Sequence, residues 1–118
     1  MSIETGVGRI TMTEKVLHKI VAGALVETEG VALLADDSAD LSERLRAAGK
    51  SGRILLKLLE DGVDVELRID VRFGARIQEV CRELRSNVET SVEKLAGMPV
   101  VAVSIIVEGL VGARMDRF

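Results

Sequence analysis

The chain is poor in the residues that most often carry chemistry. Its 118 residues include one cysteine, one histidine, two phenylalanines, and neither tryptophan nor tyrosine. Cys81 alone cannot close an internal disulfide, so no disulfide framework supports the fold, and a reducing cytoplasm fits. A single histidine leaves any metal site without a second imidazole, and it offers no Ser-His-Asp arrangement. With almost no aromatics, stacking platforms for single-stranded nucleic acid are missing. The net charge is −3 with both signs mixed, whereas nucleic-acid binding rests on clustered Lys and Arg. No run approaches the ~18 apolar residues that a membrane-spanning helix needs. Met1–Gly8 lacks the basic start and apolar run of a signal peptide. Direct membrane insertion is therefore not expected; membrane association would go through a partner.

What is present is enough for one domain, since a chain of this length buries roughly two thirds of its unfolded surface. Residues 1–8 read as a flexible N-terminus, 9–110 as a single domain and 111–118 as a short tail. Arg9–Met12 reads as a short strand. Val16, Leu17, Ile20, Val21, Ala24 and Leu25 recur at helical spacing and predict a helix over Glu14–Glu29. Its start is signalled by Thr11, with Glu14 at the capping-box position, or by Thr13, flanked by Met12 and Leu17. Gly30 supplies the stop, and Val31–Ala35 reads as a short buried strand. Asp36–Gly52 is a polar interruption in which Asp40 can cap a short helix through Leu45, with Gly49 as its end.

A hairpin follows. Asp61-Gly62 is a two-residue turn signal between two alternating segments. It predicts Leu58 opposite Val65, Leu56 opposite Leu67 and Ile54 opposite Ile69 on one face. Lys57 then meets Glu66, and Arg53 meets Asp70, on the other. Apolar side chains coincide on one side and opposite charges on the other, and a one-residue slip would scramble both. Phe73-Gly74 leads into the longest helix, about Ala75–Ala96, with Ile77, Val80, Cys81, Leu84, Val88, Val92 and Leu95 as its stripe. Gly97 and Pro99 end it. Val100–Val107 is apolar on both faces and predicts a central strand. The expected fold is α+β: a two-layer sandwich, with one mixed sheet of about four to five strands and two long helices on one face.

The chemical motifs are weak. Gly49-Lys50-Ser51 suggests a phosphate-binding loop, but Arg44 stands where the first glycine belongs. The order, helix then strand, is also reversed. The same Gly-Lys-Ser-Gly resembles the loop of an RNA-binding KH module, which joins two helices rather than helix and strand. It reads as a linker. His18 reads as a half-buried or surface residue. Cys81, on an apolar stripe, reads as a small hydrophobe rather than an activated thiol. Asp36, Asp37 and Asp40 lack calcium-loop spacing. No catalytic, cofactor or metal residues are assigned.

The charged side of the hairpin is the remaining candidate. Its charges pair internally, but Leu55 and Leu59 fall among them, and Ile106 and Ala102 on the last strand can join these two. Aliphatic side chains among paired charges describe a protein-contact surface. Leu55, Leu59, Arg68 and Ile106 are the expected interface residues, and another copy or a partner protein the expected occupant.

Two segments carry a resemblance. GRITMTEKVLHKIVAGALVETEGVALL resembles the opening of the alkaline shock protein family, in which a short strand precedes a helix and a Gly-Val strand start. VDVELRIDVRFGARIQEVCRELRSNVETSVEKLAGMPVVAVSIIVEGL resembles the family's second half. There an alternating strand is followed by an aromatic-Gly turn, Ile-x-Glu-Val entering a helix, Val-Glu-x-x-x-Gly and a Val-x-Val strand. The likeness covers Gly8–Leu110. It implies a non-enzymatic cytoplasmic protein of cell-envelope homeostasis and alkaline stress in Gram-positive bacteria. It also implies self-association and attachment at the inner face of the membrane through a separate anchoring protein. No catalytic residues or cofactors come with it. The runner-up function is a small-molecule or lipid-binding regulator whose ligand enters beneath the long helices. The polar segment Asp36–Gly52 and the short ending GARMDRF depart from the family pattern.

Overall fold

The computed structural model describes residues 2–32, 40–49 and 53–112. In chain order the elements are β1 (Ser2–Thr5), β2 (Gly8–Thr11), α1 (Glu14–Glu27), β3 (Val31–Ala32), α2 (Leu41–Ala48), β4 (Ile54–Leu59), β5 (Gly62–Arg72), α3 (Ile77–Ser91) and β6 (Val100–Val111). A single π turn, Val92–Ala96, extends α3. The fold is α+β, as the sequence predicts.

β5 organises the sheet. β6 runs parallel along one edge of it, from Val63 beside Val100 to Arg72 beside Val111. β3 and β4 share the other edge end to end, both antiparallel: Val31 lies opposite Val71, while Ile54–Leu59 lies opposite Gly62–Leu67. The sheet thus has four strands but is three wide. Val63, Val65, Leu67, Ile69 and Val71 alternate along β5 and are all at most 1% exposed. They form one cluster with Leu17, Val21 and Leu25 of α1 and Leu84, Val88 and Val92 of the α3 layer. A strand's two-residue period turns this row toward the helices and sends Asp64, Glu66, Arg68 and Asp70 to the opposite face. Each large side chain so buried contributes roughly 1.5–3 kcal/mol, so this row outweighs any surface charge.

Several local expectations appear in the structure. Thr13 is the N-terminal cap position of α1, with no side-chain hydrogen bond to the helix, and Met12 packs against the core. Asp40 Oδ1 accepts from the Glu43 amide at 2.9 Å and starts α2, which runs to Ala48 before Gly49. Gly30 and Gly97 adopt positive φ after the two long helices. Leu33–Ala35, the Asp36–Asp37 pair, Lys50–Gly52 and the tail after Gly112 lie outside the described residues.

Four expectations change. Ser2–Thr5 forms a strand paired with β2 in a hairpin separate from the main sheet, where the sequence signals no element. The register of the β4–β5 hairpin differs by two residues: Leu59 lies opposite Gly62, Leu58 opposite Val63, Leu56 opposite Val65 and Ile54 opposite Leu67. Glu60 and Asp61 make the turn. Gly62, at φ +151°, is instead a strand residue pressed against Pro99, whose carbonyl accepts from the Val63 amide at 3.0 Å. A two-residue shift preserves the faces, so apolar still meets apolar. It places Lys57 opposite Asp64 rather than Glu66, and Arg53 beside Arg68.

The third change is in α3. Leu95, expected on the buried stripe, is 70% exposed, whereas Ala96 is 2% exposed. A π turn advances less around the axis per residue than an α turn, so after Val92 the inward position falls one residue later. The fourth is β6, which is an edge strand rather than a central one: among the described residues it pairs with β5 alone. Val101, Ile106, Leu110 and Val111 are exposed accordingly.

Candidate functional site

The open face of the sheet is built on the outward residues of β5. Cross-strand neighbours share a face, so the register assigns the rest. Leu55 stands opposite Glu66, and Ser104 flanks Glu66 on the other side. Ile106 stands beside Arg68. Leu59 stands opposite Gly62 at the turn end. All four residues expected from sequence therefore lie on this face. Leu55 is 50% exposed, Ile106 38% and Leu59 37%.

They do not form one patch. Arg68 and Ile106 are direct neighbours, and Leu55 lies diagonally across β5 from them. Leu59 stands apart, six β5 positions away, or about 20 Å. Between the aliphatic flanks runs the charged row of β5, in which Arg68 and Asp70 are paired. Asp64 and Glu66 have no ion-pair partner among the described residues, and the Lys57–Glu66 pair expected from sequence does not form. Arg53 Nη2 reaches diagonally to Asp70 Oδ2 at 3.3 Å, with both side chains about four-fifths buried (22% and 21% exposed). The pair anticipated from sequence forms, though between diagonal rather than opposed positions. Arg68 Nη1 meets Glu108 Oε2 at 3.2 Å across the β5–β6 seam. That pair is nearly half exposed and adds little to stability. It neutralises Arg68 beside Ile106, while Glu66 opposite Leu55 has no ion-pair partner among the described residues.

Sequence reasoning missed the free edge of β6. Its signal was visible but ambiguous, because a strand apolar on both faces fits either the middle of a sheet or an edge awaiting a neighbour.

Two concave regions flank the helix layer. A cleft of about 730 Å³ lies between α1, α2 and β4; Ala22, Leu45 and Ile54 are among its apolar lining, and Lys15, Lys19 and Arg46 among its polar lining. The half-buried His18 lines it too. A groove of about 360 Å³ lies between α3 and β6, lined by Gln78, Cys81, Arg82, Arg85, Val103 and Ile105. Burial pushes the Cys81 thiol above its ordinary range, which disfavours the thiolate a nucleophile needs. Among the described residues no group of three or more His, Cys, Asp or Glu is placed to hold a metal ion. Nor is any helix among them long and apolar enough to cross a membrane.

The sequence profile of the alkaline shock protein 23 family, described as having a cell envelope-related function, matches residues 2–112. Similar proteins include YloU of Bacillus subtilis (strain 168), 28% identical over 115 residues that span 93% of this chain and 96% of YloU. Spy1535 of Streptococcus pyogenes serotype M6 is 28% identical over 112 residues, covering 94% of this chain and 85% of that protein. YqhY, also of B. subtilis, is 21% identical over 108 residues, covering 91% and 80%. All three are described as uncharacterized proteins. No solved structure matches the chain. With the resemblance in its two halves now extended over nearly its whole length, the chain belongs to the alkaline shock protein family, whose function is related to the cell envelope.

Proposed function

We propose that this protein is a non-enzymatic contact module of cell-envelope homeostasis. It is cytoplasmic, associates with copies of itself, and offers its open sheet face to a protein that anchors it at the inner face of the membrane. One observation carries the reading: exposed Leu55, Leu59 and Ile106 stand on the uncovered face of the sheet, and two of the charges on that face, Arg68 and Asp70, already have partners. Covering a charge that keeps its partner costs less than covering a lone one, so the Arg68–Glu108 and Arg53–Asp70 pairs can lie beneath a partner protein. Leu55, Leu59, Arg68 and Ile106 are the contact residues.

The test compares wild type with Leu55→Arg. Wild type should sediment above the monomer mass and be retained on membranes from its own cells, with retention abolished by protease treatment of those membranes. Leu55→Arg should lose retention while its circular dichroism stays unchanged. A wild-type chain that is monomeric and ignores the membranes refutes the reading.

The cleft between α1, α2 and β4 favours a second reading, in which the protein carries an amphipathic anion. Its apolar lining suits an acyl chain and its cationic residues suit a carboxylate or phosphate. Native mass spectrometry of the purified protein separates the two, because a co-purifying small molecule lost in Lys15→Glu/Lys19→Glu favours the carrier.

A further inference from the structure

We propose that two copies of this chain join edge to edge through β6, antiparallel about a two-fold axis near Ile105, so that their sheets become one. This deepens the self-association reading above and rests on it.

β6 is twelve residues long and, among the described residues, pairs on one side only. In a parallel ladder every second residue turns its N–H and C=O away from the neighbour, so the outer edge of β6 is a row of groups matched by another strand. Soluble proteins blunt such edges with lysine, proline, bulges or short length. The opposite edge strand, β4, has six residues with Lys57 among them. β6 has no Lys, Arg or Pro between Val100 and Val111, and its one charge, Glu108, is drawn over β5 by Arg68. The ladder with β5 skips Val101 and Glu108, so both irregularities bracket an unbroken run, Ala102–Val107.

That run suits itself as a partner. With the axis at Ile105, Val103 meets Val107 of the second copy and Ser104 meets Ile106 of the second copy. Ile105 meets its own counterpart. Each pair shares a face, and no like charges are opposed. A two-fold, isologous contact of this kind closes on itself and forms no fibre. The helix layer leaves room for it. At this edge α3 stands off β6 by the groove over Val103 and Ile105, and both remain only half-buried in the single chain. The joined sheet sets two open faces side by side, which doubles the surface offered to an anchoring partner.

The test is cysteine cross-linking in a Cys81→Ser background, which removes the native thiol that lines the same groove. Single cysteines at Val103, Ser104, Ile105, Ile106 and Leu55 are oxidised with copper-phenanthroline and read on non-reducing gels. A covalent dimer should be strongest at or next to Ile105 and absent at Leu55. The exposed Ser104 keeps the test informative if the Ile105 variant folds poorly. In parallel, Ala102→Lys/Ser104→Lys should weaken dimerisation at least tenfold in sedimentation velocity without changing circular dichroism. A wild-type dimer that cross-links at Leu55 and nowhere on β6 overturns the edge assignment while leaving self-association in place. A chain that stays monomeric overturns both.

Discussion

Asn87 on α3 donates from Nδ2 to the Thr28 hydroxyl at 2.9 Å, and that hydroxyl donates in turn to the Ala24 carbonyl at 2.8 Å. Thr28 is 3% exposed and stands just past the end of α1. The two bonds tie the end of one long helix to the middle of the other. Buried polar groups are costly when left without partners. Thr28→Val should therefore destabilise by about 1–3 kcal/mol, and Asn87→Ala by about 1 kcal/mol. Urea unfolding followed by circular dichroism measures both, and the midpoint should fall at constant slope.

Two glycines should answer alanine with opposite signs. Gly62 has φ +151°, and a Cβ there would run into the Pro99 carbonyl, which is backbone and cannot swing aside. Gly62→Ala should cost on the order of 2–3 kcal/mol in strain. Gly23 lies within α1, with nothing within 4 Å of a Cβ built on it. Gly23→Ala should add about 0.5–1 kcal/mol, because alanine loses less backbone freedom on folding. A single thermal denaturation series checks both, and a loss of stability in Gly23→Ala contradicts the account of α1.

The π turn makes a similar paired prediction. Leu95→Ser should change stability by no more than about 0.5 kcal/mol, because its side chain already faces water. Ala96→Leu should cost about 1–3 kcal/mol by overpacking the layer beside Val92. A regular α-helix through Ser91–Ala96 reverses the ranking, so unfolding midpoints of the two variants decide between the geometries.

What was legible in the sequence follows one pattern. The stripe of α1 apart from the exposed Val16, the Asp40 cap and the outward charges of β5 were readable because each depends on neighbours a few residues away. The family resemblance, spread over both halves of the chain, was readable for the same reason. The four contact candidates on the open face were readable only as members of a face, since alternation assigns a side but not a neighbour. Leu59 accordingly lies about 20 Å from Ile106, although the sequence groups them. The hairpin register could not be read to better than two residues. Asp61-Gly62 is a good local turn, and it lost to the approach of Pro99, which is 37 positions beyond Gly62.

By itself the sequence determined most of which side chains face the core and which face water, because a helix period of 3.6 and a strand period of 2 are properties of the local backbone. Val16, Ile77 and Leu95, at or near helix ends, are the exceptions. It also determined that no disulfide bridge forms within the chain. Only the tertiary structure decided which strand ends at an edge, where the last turn of α3 widens and how Gly62 is used. Those outcomes depend on contacts between segments far apart in the chain, which no local period of the backbone encodes.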